Sequence, residues 1–127
     1  MLKTAPVSPT LPSTDLKRSR DFYVDKLGLS VKKETEGSLT FEAGGGTLLY
    51  VYKRPPAPSE HTLASFQVGS VEEAVDALSA NGVEFEHYDF PGLKTNEKGI
   101  AVSEEEGEKA AWFKDPDGNI LAIAQEV

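Results

Sequence analysis

The chain contains no cysteine. A disulfide framework and thiolate metal sites are therefore excluded. Their absence suits a reducing compartment. Long hydrophobic runs are missing as well. No apolar stretch approaches the roughly 20 residues of a membrane-spanning helix. The opening Met1-Leu2-Lys3-Thr4-Ala5-Pro6 has no apolar core of signal-peptide length. The expectation is a soluble, cytoplasmic protein with no membrane partner. Positive charge is scarce in the second half. Residues 61–127 carry four Lys/Arg against fourteen Asp/Glu, whereas residues 1–60 carry nine against seven, and the whole chain stands at −8. A nucleic-acid surface needs the opposite balance, so no nucleic-acid partner is expected. An acidic half serves solubility or attracts a cationic ligand.

Chemical signatures are also few. Gly44-Gly45-Gly46 joins two apolar runs and no helix follows, so it reads as a hairpin and not a phosphate loop. No nucleophile elbow or Ser-His-Asp order occurs. Asp115 and Asp117 read as turn formers.

What is present is a repeat. The chain has 127 residues, the size of one domain. Within it, Asp15-Leu16-Lys17-Arg18-Ser19-Arg20-Asp21-Phe22-Tyr23 runs to Leu27-Gly28-Leu29. Likewise Ser70-Val71-Glu72-Glu73-Ala74-Val75-Asp76-Ala77-Leu78 runs to Asn81-Gly82-Val83. Leu16, Ser19, Phe22 and Tyr23 match Val71, Ala74, Ala77 and Leu78, the one-sided stripe of a packed helix. Asp15 and Ser70 stand at the N-cap, and Gly28 and Gly82 at the left-handed stop. Further on, Phe41 precedes Gly46 by five residues as Phe113 precedes Gly118. Gly44-Gly45-Gly46 and Asp115-Pro116-Asp117-Gly118 are hairpin signals.

Each unit thus reads strand, helix, strand, strand, strand, giving an α+β fold of two βαβββ modules. In module one, about 1–54, strands are expected near 5–11, 29–35, 38–43 and 47–54, with a helix near 15–26. In module two, about 61–127, strands are expected near 61–68, 83–88, 108–114 and 119–125, with a helix near 70–80. The Pro-rich linker 55–60 joins them as a stiff connector. Phe90 to Gly107 reads as a long irregular stretch, either a binding segment or an exposed loop. Pairing of the two sheets would enclose a central cleft, the natural place for a ligand.

The helix motif Asp15-Leu16 with Ser19, Phe22-Tyr23 and Leu27-Gly28-Leu29 resembles the opening of the glyoxalase/bleomycin-resistance/extradiol-dioxygenase (vicinal oxygen chelate) superfamily. Phe113-Lys114-Asp115-Pro116-Asp117-Gly118-Asn119 resembles its closing hairpin. The resemblance covers nearly the whole chain. It implies the paired βαβββ fold and a range of activities: lyase, dioxygenase, epimerase, antibiotic-modifying transferase or drug-sequestering binder.

Metal-dependent members of that family take one ligand from each first strand, seven residues before the helix-opening residue. They take another from each last strand, four residues after the turn glycine. These positions are Ser8, Tyr50, Leu63 and Ala122 here. None is an imidazole or carboxylate donor. No cofactor is therefore expected, although a divalent metal held through other residues stays open. Further cleft candidates are Tyr52, two residues from Tyr50 on one strand face, and His61, two from Leu63. Trp112 is a third, as a stacking wall or as a residue packed under the helix. Glu106, in the acidic run with Glu104, Glu105 and Glu108, is a fourth. His87 reads as a sheet residue. These residues point to a protein that binds a small aromatic or cationic molecule in the manner of the bleomycin-resistance branch. The alternative is a glyoxalase- or dioxygenase-like enzyme with a metal-free or non-standard site. Small size and open sheet edges suggest a homodimer, its modules paired within a chain or by swapping.

Overall fold

The computed structural model describes residues 1–103 and 107–126. It divides into two compact units, Met1–Ala57 and Pro58–Val127. The fold is α+β, with one four-stranded sheet in each unit.

The first unit contains β1 (Thr10–Ser13), α1 (Leu16–Asp21), β2 (Ser30–Glu34), β3 (Ser38–Glu42) and β4 (Leu48–Lys53). Its sheet order is β1-β4-β3-β2, with β1 and β4 parallel and the other pairs antiparallel. Helix α1 starts where a side chain can take an orphan amide: the Asp15 carboxylate accepts from the Arg18 N–H at 3.2 Å. The expected helix over 15–26 is not uniform. After Asp21 it widens into a π-helical turn, Phe22–Lys26, in which the Leu27 N–H donates to the Phe22 carbonyl. The wider turn accompanies burial of both Phe22 and Tyr23, whose rings meet edge to face at 5.3 Å. Tyr23 then packs on Phe41, with ring centroids 5.1 Å apart.

Alternation divides this sheet cleanly. Leu11, Val51 and Leu39 lie in one cross-strand row, with Phe41 and Leu49 in the next, and all five are buried. Helix α1 packs against β3 and β4. Thr10, Tyr50 and Thr40 form a row on the opposite face, and Pro12, Tyr52 and Ser38 form another. The strand expected at 5–11 is shorter and later, beginning only at Thr10. Pro6 and Pro9 lack the N–H groups a ladder needs there.

The second unit contains β5 (Thr62–Gln67), α2 (Val71–Ala80), β6 (Asp89–Phe90), β7 (Leu93–Lys94), β8 (Ile100–Ser103), β9 (Glu108–Lys114) and β10 (Ile120–Glu126). The sheet order is β5-β10-β9-β8, again with a parallel first-to-last pair. Ser70 Oγ accepts from the Glu73 N–H at 3.2 Å and caps α2. The helix buries Val71 and Val75, while Ala77, expected on its stripe, is exposed. Gly28 and Gly82 both take positive φ, 79° and 90°, just past their helices. Phe113, Leu121, Ala111 and Ile123 form the buried face of the sheet.

Two expectations need correction here. The strand expected at 83–88 is a single bridge, Phe85 opposite Phe113, with the Glu86 N–H donating to the Trp112 carbonyl at 2.7 Å. Beyond it the chain leaves the sheet, because Tyr88 and Thr95 exchange backbone and hydroxyl hydrogen bonds and close a hairpin. The stretch from Phe90 to Gly107 is not irregular throughout. It holds part of the β6–β7 hairpin and all of β8, which occupies the remaining edge of β9. No helix among the described residues is long and apolar enough to cross a membrane.

The closing motif is a turn braced by its own side chains. Asp115 Oδ1 accepts from the N–H groups of Asp117 and Asn119, each at 2.9 Å, and Oδ2 accepts from Asn119 Nδ2 at 2.7 Å. Both side chains are buried, so every one of these bonds protects a group that would otherwise be desolvated without a partner. Asp115 and Asp117 are turn residues, as their spacing indicates.

Candidate ligand pocket

On the face of the second sheet opposite Phe113 the side chains are small. Ala122 lies between Trp112 and Ser65 in register, and Ala110 lies between Ala124 and Ala101. Of these, Ala101 and Ala110 border a hollow on one side of Trp112. The β6–β7 hairpin walls that space with Gly92, Leu93 and Lys94. Residues of β8 and β9, among them Ala101, Val102, Glu108, Ala110 and Trp112, complete a cavity of about 190 Å³. A cavity of about 150 Å³ lined by apolar side chains takes benzene. The Trp112 cavity therefore has room for one aromatic ring with a short substituent.

Trp112 is held in place. Tyr88 meets it edge to face at 5.7 Å, and Phe90 packs on Tyr88 at 5.8 Å. Burial raises the Tyr88 phenol above its usual value, and the nearby Glu86 charge raises it further. Tyr88 thus stays neutral through the physiological range. Glu108 is half-buried at the cavity, whereas Lys94 is exposed. The cavity is thus bordered by one carboxylate and one ammonium, of which the Glu108 residue is the less exposed.

The remaining candidates are dispersed. Tyr50 and Tyr52 stack on the exposed face of the first sheet, centroids 6.4 Å apart and planes 20° off parallel. Ser8 lies ahead of β1; the register partner of Tyr50 is Thr10, and the Tyr50 N–H donates to the Pro9 carbonyl. Leu63 falls in the β5 bulge, where Thr62 pairs with Ile120 and Ala64 with Leu121. His61 is exposed just before β5. Glu106, with Glu104 and Glu105, lies outside the described residues. His87 is exposed beside the bridge strand, in a second hollow near α2.

These residues do not fit a divalent metal of the oxygen-chelating kind. Ser8, Tyr50, Leu63 and Ala122 offer no imidazole and no carboxylate. Among the described residues no three of His, Asp and Glu gather into a group that could hold one. The sequence reading missed the outer wall of the Trp112 cavity: Leu93, Lys94, Ala101 and Ser103. The available signal was the apolar run Ile100-Ala101-Val102 directly after Gly99, with alanines recurring at alternate positions 110, 122 and 124.

The sequence matches the Glyoxalase/Bleomycin resistance protein/Dioxygenase superfamily over residues 6–123. The chain belongs to that superfamily. The protein of Bacillus subtilis (strain 168) described as uncharacterized protein YwkD is 29% identical over 127 residues, covering 89% of this chain and 90% of YwkD. Among solved structures, TnmS3, an antibiotic binding protein from Streptomyces sp. CB03234, superposes with a TM-score of 0.71 at 21% identity, over 100% of this chain and 99% of TnmS3. The genomically encoded fosfomycin resistance protein FosX from Listeria monocytogenes gives 0.71 at 15% identity, over 98% of this chain and 94% of FosX. At these identities the likeness extends to the fold and no further.

Proposed function

We propose that this superfamily member is a binding protein that holds a small aromatic cation in the Trp112 cavity without a metal or other cofactor. It does so as a cytoplasmic homodimer. The carrying observation is the alanine floor under the Trp112 wall, with a half-buried Glu108 beside it. Stacking on Trp112 supplies most of the attraction, and the carboxylate selects the sign of charge. The donor-poor side chains at Ser8, Tyr50, Leu63 and Ala122 support a metal-free reading. TnmS3, an antibiotic binding protein, gives this use of the fold a precedent. An enzymatic reading would place His61, Tyr50 or a glutamate at a reacting group; of these only a glutamate, Glu108, lines the Trp112 cavity.

Trp112 is the single tryptophan, so its fluorescence reports the cavity directly. Benzamidine is the probe, with benzamide as its neutral analogue. The expected result is saturable quenching by benzamidine, weaker binding of benzamide, and loss of both in Ala101→Leu, which fills the cavity. Equal affinity for the two compounds would remove the role of Glu108. Absence of saturation would remove the binding site itself, and turnover of the bound compound by pure protein would replace the binder with an enzyme.

A further inference from the structure

The groove beside α2 shares no residue with the Trp112 cavity. We propose that it is a second ligand site, for an organic cation that carries an apolar body. The groove is open to solvent and has a volume of about 410 Å³. Val75, Val83 and Phe85 give it an apolar base, and the two valines are buried. His87 adds an aromatic edge at one end.

The outer wall is built firmly. Gly99 has φ +84°, and a Cβ placed there would stand 2.9 Å from the Glu86 carbonyl oxygen. Only glycine lets the turn press this closely on the Phe85–Glu86 backbone. The turn is closed on itself. Asn96 Oδ1 accepts from the N–H groups of Lys98 and Ile100 at 2.9 and 3.0 Å, and the Asn96 N–H donates to the Ile100 carbonyl at 2.8 Å. A wall fixed in advance lowers the ordering cost of binding.

Charge then selects the ligand. Lys98 Nζ donates to both carboxylate oxygens of Asp76, at 3.0 and 3.3 Å. That pair is neutral as a unit and places its charges at the groove edge. Glu84 and Glu97 also line the groove, and among the described residues neither enters an ion pair. Two uncompensated carboxylates beside an apolar base complement an ammonium group attached to a ring or chain. They disfavour an anion of the same shape.

Tryptamine tests this against two analogues of its own outline, the neutral tryptophol and the anionic indole-3-propionate. The readout is the set of backbone amide shifts in a ¹⁵N-labelled sample. In the Ala101→Leu background, where the Trp112 cavity is filled, tryptamine is expected to move Val75 and Val83 saturably while the Trp112 side-chain resonance stays still. Tryptophol should bind more weakly and indole-3-propionate not at all. Glu84→Gln with Glu97→Gln, both exposed positions, should weaken tryptamine several-fold to about tenfold, the range for two partly screened ion pairs. Equal shifts with tryptophol, shifts confined to Trp112, or binding untouched by the double substitution would each overturn the proposal. Because the two sites report through different resonances, failure here leaves the Trp112 reading standing, and the converse also holds.

Discussion

The two units carry the same wiring and opposite upholstery. Both sheets join their first and last strands in parallel and run the remaining pairs antiparallel. Both bury a phenylalanine, Phe41 or Phe113, five residues before a turn glycine. The faces away from these phenylalanines differ. In the first unit Tyr50 and Tyr52 stand stacked among Thr10, Thr40 and Ser38. In the second, the position that matches Tyr50 by the repeat is Ala122, and Ala101, Ala110 and Ala124 accompany it. Charge follows the division. Residues 1–57 hold nine Lys/Arg against six Asp/Glu, or +3, and residues 58–127 hold four against fifteen, or −11. A duplicated backbone therefore carries a stacked tyrosine pair on this face in one copy and an alanine-rich face beside Glu108 in the other.

The largest test of that equivalence lies in the cores. Phe41 and Phe113 are both fully buried. Replacing either by alanine should cost about 3–5 kcal/mol in urea unfolding, the sum of lost transfer and a cavity. Similar losses would support two matched cores, whereas a loss at one site under half the other would break the comparison. A smaller effect separates the turns. Gly99→Ala meets both a positive φ and the Glu86 carbonyl, so about 2 kcal/mol of destabilisation is expected. Gly45→Ala meets positive φ but open space, and about 1 kcal/mol should suffice. Equal values by thermal unfolding would mean that the Gly99 wall yields.

The smallest effect is electrostatic and belongs to the second unit. A hydrogen bond from Lys109 Nζ, 2.9 Å from Glu72 Oε2, holds the Glu72 carboxyl below its ordinary value, with a backbone hydrogen bond assisting. A carboxylate depressed in the folded state stabilises above its unfolded value, near 4.5, and loses that contribution as pH falls through the lower folded value. Lys109→Met should therefore lower the melting temperature slightly above about pH 4.5, leave it nearly unchanged at the acid end, and so flatten the acid limb between. An unchanged acid limb would remove Glu72 from the account.

Much of this architecture was legible. Asp15 and Ser70 announced the helix starts, and alternation placed Trp112 opposite Phe113 on β9. The π-helical turn was not legible, because Phe22 and Tyr23 satisfy an ordinary helical stripe equally well. The edge of β9 was harder still. Val83 and Phe85 alternate correctly for a strand, yet only Phe85 bridges, and β8 takes the remaining edge from about fifteen residues further along. Local pattern describes which face a residue prefers. It does not say which of two segments wins a shared edge. The pocket wall was hidden for the same reason, since β6 and β7 are two residues each and too short to show a period.

The parallel pairing of first and last strands also bears on the order of folding. Hairpins such as β9–β10 join neighbours in the chain and can form early. The β1–β4 pair must wait for Tyr50 to return to Thr10, forty residues away, and the β5–β10 pair for Ala122 to return to Ser65, fifty-seven away. The longer loop adds only about 0.3 kcal/mol of closure entropy. Each unit is thus a ring fastened by its slowest contact, and the two clasps should close at nearly the same rate.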